Sequence, residues 1–142
     1  MMGYFYLRPD VAGGIGPGTV MDTTVHPPVV SKLVYVMEGW YGDVIVTTFP
    51  CFLVVDEVRR GLLNIGFSGA SFAHVDVIKS ENFLQLQPHV ELPNFVWLKV
   101  IGKAGQDDFG IAQNLRLVVS ERVLKLFEDF GIPSAIVEPY ED

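Results

Sequence analysis

The chain has 142 residues, of which 49% are apolar and 19% charged. That balance excludes a disordered polymer, and at one-domain length the chain buries a core that needs no staples. Ten Lys and Arg against seventeen Asp and Glu give a formal net charge of −7, which repels phosphate backbones and argues against nucleic-acid binding, while a single cysteine excludes a disulfide framework and any multi-cysteine metal site.

The stretch Met1 to Pro9 lacks the basic start and long apolar run of a secretory signal. Met2, not glycine, follows the first residue, so a myristoylation reading fails. Apolar runs such as Cys51 to Val55 fall far short of the ~20 residues that span a bilayer. The lone thiol suits a reducing compartment. The expectation is a cytoplasmic protein with no membrane attachment.

In chain order, residues 4–8 predict a strand and residues 9–18 a loop rich in glycine and proline. His26-Pro27-Pro28 is irregular, because proline lacks the amide donor and restrains the residue before it. Residues 32–37 predict a strand, with a turn at Glu38-Gly39, and the β-branched run 43–48 another. Residues 51–55 read as a short buried strand. A helix is expected from Asp56, taken as its N-cap, with Val58, Leu62 and Ile65 on one face and Gly66 past its end. Gly61 inside it costs about 1 kcal/mol relative to alanine.

Residues 72–79 alternate as a strand, with Ala73, Val75 and Val77 on one face and Phe72, His74, Asp76 and Ile78 on the other. Ser80 to Leu84 predicts one helical turn before Pro88. Residues 95–101 predict a strand, 102–110 a polar loop and 115–119 a further strand. The last helix is capped by Ser120, stacks Val123, Phe127 and Phe130 at i, i+4, i+7, and ends at Gly131 and Pro133. Residues 135–140 close the chain as a strand.

Leu53-Val54-Val55-Asp56-Glu57 and Leu117-Val118-Val119-Ser120-Glu121 agree at four of five positions. Two readings stay open: a duplicated strand-helix-strand unit, or the shared chemistry of a buried strand feeding a capped helix. No linker separates the copies, which favours one domain over residues 1–142. The expected class is α+β, a mixed or mostly antiparallel sheet with two main helices packed on it.

Motifs that carry chemistry fail on context. Gly14-Ile15-Gly16-Pro17-Gly18 has no helix start after it to cradle a phosphate. Gly66-Phe67-Ser68-Gly69-Ala70 misses the nucleophile elbow at its fifth residue and follows a helix where the elbow needs a strand. Cys51 begins an apolar run and reads as a small core hydrophobe, with a nucleophile as the alternative. His74 and Asp76 share a strand face, which makes two ligands where a metal asks for three or four. No cofactor or metal is therefore expected.

Trp40-Tyr41 between Gly39 and Gly42 reads as an interface anchor or a lid on the core, and Asp107-Asp108 as a solvated turn or a charged contact. Trp40, Tyr41, Asp43, Asp107, Asp108 and Phe109 fall in expected loops, where binding residues concentrate. They are the candidate partner-facing residues.

Four stretches carry a family resemblance: Gly39-Trp40-Tyr41-Gly42-Asp43; Pro50-Cys51-Phe52-Leu53-Val54; Leu92 to Val100 running into Gly102-Lys103-Ala104-Gly105-Gln106-Asp107-Asp108-Phe109-Gly110; and Leu117-Val118-Val119-Ser120-Glu121-Arg122. Together they resemble the bacterial immunity-protein family of polymorphic toxin systems numbered forty-three, over residues 32–140. Residues 3–31 lie outside it. The resemblance implies a cytoplasmic binding protein, not an enzyme, whose partner is a cognate toxin domain, and it assigns no contact residues. An acidic inhibitor is steered quickly to the basic site of a toxin that acts on nucleic acid, although −7 is also an ordinary charge for solubility. Two other readings remain. One is a structural or oligomerising module, since a mean hydropathy of +0.33 leaves apolar surface for a homo-oligomer. The other is a small enzyme using Cys51 or His74.

Overall fold

The computed structural model describes residues 3–141. In chain order the elements are β1 (Tyr4–Arg8), β2 (Gly13–Ile15), β3 (Val20–Asp22), β4 (Val29–Lys32), β5 (Val34–Met37), β6 (Ile45–Thr48), β7 (Cys51–Val55) and α1 (Asp56–Ile65). After these come β8 (Ala70–Ala73), β9 (Asp76–Lys79), α2 (Glu81–Leu86), β10 (Phe95–Val100), β11 (Phe109–Ile111), β12 (Leu117–Ser120), α3 (Glu121–Phe130) and β13 (Ile136–Pro139). The fold is α+β, and the named strand pairs are antiparallel except β5 with β9.

Two four-stranded sheets, ordered β6-β7-β10-β8 and β11-β12-β1-β13, repeat one topology. In each, a hairpin leads into a helix, and the helix returns to the far edge strand. The third place is filled by β10 in the first sheet and by the N-terminal β1 in the second. The strand-helix-strand arrangement thus repeats, but one residue out of step with the sequence echo. Val55 and Ser120 both occupy the N-cap, Val58 and Val123 are the first buried helical residues, and Gly66 and Gly131 are the C-caps. The echo, by contrast, aligns Asp56 with Ser120. A one-residue slip turns every strand side chain to the other face. Here it is tolerated because β12 is buried throughout and β7 at every position but Phe52.

The halves are stitched symmetrically. Chain leaving β1 bridges the edge strand of the other sheet (Asp10 with Val46), and chain leaving β10 does the same (Lys103 with Ile111). Helices α1 and α3 pack on each other. Gly61 lies at the contact, where a Cβ would stand 3.4 Å from Leu126 and Phe130, an ordinary van der Waals distance. A column of rings, Phe72–Phe67–Phe109–Phe127, with centroids 5.5, 5.9 and 6.2 Å apart, runs from β8 to α3 through one continuous core. At about 1.5–3 kcal/mol per buried side chain of this size, that column is a main tie between the halves.

Several local expectations are corrected. The glycine-rich segment forms β2 against β5, with Gly13 so close that a Cβ would overlap the Val36 carbonyl. Of residues 32–37, Val34 to Met37 form β5 as expected while Lys32 ends β4, and 72–79 splits into β8 and β9, because these pieces join different sheets. Asp56 is the first helical residue and not the cap; its carboxylate takes Arg59 Nε at 2.6 Å. Ser120 is the N-cap of α3 by position, yet its hydroxyl makes no cap bond and donates to Asp108 at 2.6 Å instead. Ile65 and Phe130, expected on buried helix faces, are 40% and 42% exposed. Ser80 does cap α2, accepting from the Phe83 amide at 3.0 Å.

Candidate functional site

The six candidate partner-facing residues separate into two groups. Asp43 and Phe109 are completely buried, and Asp108 is 9% exposed. For these three the expectation of a partner-facing position is corrected, because each is consumed by the fold. Phe109 is the middle of the ring column. Asp108 accepts from the Ser68 amide at 3.0 Å, the Ser120 hydroxyl at 2.6 Å, and Arg122 through Nε at 2.9 Å and a terminal nitrogen at 2.7 Å. Ser68 returns the bond, its hydroxyl accepting from the Asp108 amide at 3.1 Å. The Arg122 guanidinium, then the Ser120 and Ser68 donors, outweigh burial and hold the Asp108 carboxyl at about 2. Ser68 thus sits in a turn and latches the two halves through both its amide and its hydroxyl.

Asp43 plays the matching part on the opposite seam. Its Oδ2 accepts from the Ser134 amide at 2.9 Å, while its buried Oδ1 has no hydrogen-bond partner among the described residues. In both latches an aspartate just before the first strand of one half grips the backbone beyond the helix of the other half. The Asp108 latch adds a two-pronged arginine. Asp107 is half-buried and ties its own turn, accepting from the Lys103 amide at 2.7 Å.

Trp40 and Tyr41 behave differently. Trp40 is a half-buried lid: its indole N–H donates to the Asp43 carbonyl at 2.8 Å, and its ring stands edge-on to Phe95, centroids 6.2 Å apart. Its backbone is gripped twice by one side chain. The Trp40 amide donates to Gln87 Oε1 at 2.9 Å, and Gln87 Nε2 donates to the Trp40 carbonyl at 3.0 Å. This clamp ties the aromatic loop to the end of α2. On either side of it Tyr41 is 67% exposed and Leu86 69%. Glu38 borders the ridge, its carboxylate accepting from the Ser80 hydroxyl at 2.9 Å. Gln87 was not among the candidates, since an isolated glutamine before a proline has no pattern that marks it.

The residues of the enzyme reading are apart in environment. Cys51 is 3% exposed and burial pushes its thiol up to about 11, so the nucleophilic thiolate is disfavoured at neutral pH. His74 Nε2 meets Asp76 Oδ1 at 2.8 Å on the open surface. Among the described residues no group of three His, Cys, Asp or Glu side chains is placed to hold a metal ion, and no helix is long and apolar enough to cross a membrane.

The run from Gly102 to Gly110 has a structural explanation. A Cβ on Gly102 would overlap the Phe109 carbonyl, and one on Gly110 the Ala104 amide. Its two aspartates and its phenylalanine are the latch, the turn tie and the ring column. No protein-family model matches the chain, and no curated protein matches it. The immunity-protein resemblance rests on the motif residues alone.

Proposed function

We propose that this chain is a binding protein that neutralises a cognate toxin domain, and that it does so through the ridge formed by Tyr41 and Leu86. The observation that carries the reading is the pair of hydrogen bonds from the Gln87 side chain to the Trp40 backbone. It holds the backbone next to an exposed aromatic and an exposed leucine on a fixed support. A large side chain that is already ordered loses little entropy on docking, and tyrosine is among the residues that dominate interface energies. The surrounding charge of −7 adds long-range steering toward a basic partner.

The reading expects a neighbouring gene for a large secreted protein with a variable C-terminal domain; the test is co-expression of that domain with this chain, scored by survival and by the affinity of the purified pair. The native chain is expected to protect. Tyr41→Ala with Leu86→Ser is expected to weaken binding by at least about a hundredfold, two hot-spot truncations of about 1.4 kcal/mol or more each. Unfolding of the free protein should shift by no more than about 0.5 kcal/mol per exposed site. Protection unaltered by the double variant rejects the ridge, and no protection by the native chain rejects neutralisation itself.

A further inference from the structure

We propose that the groove between β1, the β6–β7 hairpin and the start of β12 binds a small amphipathic carboxylate, a molecule with one acid group on an apolar body. The groove has a volume of about 550 Å³, within the range of small-molecule sites, and none of its lining residues belongs to the Tyr41 ridge. Its floor is Leu7 and Leu117, both buried, and its walls are Phe52, Pro50, Phe49 and Leu115. Phe49 at 52% and Val11 at 65% exposure leave apolar surface in water at its lips. Leu115 lies in the left-handed region with φ 67°. That conformation is costly for a residue with a side chain and persists where the surroundings enforce it.

The charge inside the groove opposes that of the molecule. Arg8, at the end of β1, and Arg116, just before β12, both line the groove. Like charges gathered at one site repel unless each is answered. Only one of them is answered. Arg116 lies 4.0 Å over the Tyr6 ring and 3.4 Å from Glu138, whereas among the described residues no ion pair or hydrogen bond engages the Arg8 side chain. Two guanidinium groups against one carboxylate, in a chain of net charge −7, leave one anion's worth of complementarity beside an apolar trough. A carboxylate fits the planar donors of Arg8 in two-pronged fashion, and its apolar body then covers Phe49 and Leu115.

The experiment is an amide NMR titration of the full chain with octanoate, octan-1-ol and acetate. Octanoate is expected to shift the amides of Val11, Phe49, Leu115 and Leu117 saturably. Octanol should bind at least about tenfold more weakly, and acetate not at all over the same range. Arg8→Gln is expected to bring octanoate down to the octanol level, and Arg8→Lys to restore part of the difference. Equal affinity for octanoate and octanol overturns the proposal, as does indifference to Arg8→Gln, shifts confined to other surfaces, or no shift at millimolar octanoate. Shifts produced only by a peptide ending in an apolar residue overturn the small-molecule assignment. Should Arg8→Gln lose the native spectrum, Phe49→Ser at the exposed lip supplies the same comparison, with tighter or unchanged octanoate binding counting against the site.

Discussion

Removing the charge at Asp108 tests the latch between the two halves of the fold. Asp108→Asn keeps the shape and one acceptor for Ser68 or Ser120 but loses the ion pair to Arg122. The carboxyl sits at about 2 against an ordinary 3.8. A native pKa below the unfolded one stabilises the fold above the unfolded value and ceases to do so as pH falls through the native value. A displacement of nearly two units corresponds to about 2 kcal/mol at pH 7. At pH 2, where the native carboxyl is half protonated, less than about half a kcal/mol of this remains. Asp108 is largely shielded from solvent but Arg122 is half-exposed, so screening makes these upper figures. The assay is urea unfolding of both proteins at pH 7 and at pH 2, compared as a difference so that all other carboxylates cancel. The expected result is a gap of about 2 kcal/mol that closes in acid. A gap equally large at both pH values refutes the reasoning, since the bond would then owe nothing to ionisation.

Three further outcomes are expected. Gly69, at φ 90° and with the Phe109 carbonyl where a Cβ would stand, should not tolerate Gly69→Ala: a Tm fall of about 10 °C or more is expected by calorimetry, from at least about 3 kcal/mol of strain, and a fall under about 2 °C contradicts the close seam. Cys51 should react with a thiol reagent at pH 8 only as fast as the protein opens, so its labelling rate should climb with urea; prompt labelling of the folded protein refutes its burial. Burial, and then the charge of Asp43, raise the Asp10 carboxyl above its ordinary value. Asp43→Asn should therefore move the Asp10 titration, followed by carbon NMR, toward lower pH, and an unmoved midpoint shows that the two acids do not interact.

The long alternating or β-branched runs announce themselves in the sequence, because β7, β10 and β12 are apolar enough to be nothing but buried strands. Where the reading fails, the cause is tertiary. Residues 13–15 look like a loop by composition, yet form a strand because only glycine permits the approach to Val36. The runs 32–37 and 72–79 carry one uninterrupted pattern each, and nothing in that pattern tells which sheet a residue joins. At the candidate site, an aspartate next to a glycine or an aromatic looks the same whether it faces water or the interior. The sequence of Asp43 and Asp108 does not reveal that the amides of Ser134 and Ser68, 91 and 40 residues away, take them inside. The sequence leaves Trp40-Tyr41 open between an interface anchor and a lid, and the structure makes Tyr41 the exposed one and Trp40 the lid; the glutamine that holds their loop carries no sequence signal.

The second sheet takes its third strand from the opposite terminus of the polypeptide, Tyr4 facing Ser120. During synthesis on the ribosome the first half has all its strands once Val100 has emerged, whereas β1 waits with both of its pairing edges unoccupied until β12 and β13 are made. β1 is thus made before either of the strands that pair with it. A closure that joins Tyr4 to Ser120 is slow on loop-entropy grounds. In this interval the nascent chain's vulnerability to proteases and to pairing with a neighbouring nascent chain concentrates at β1.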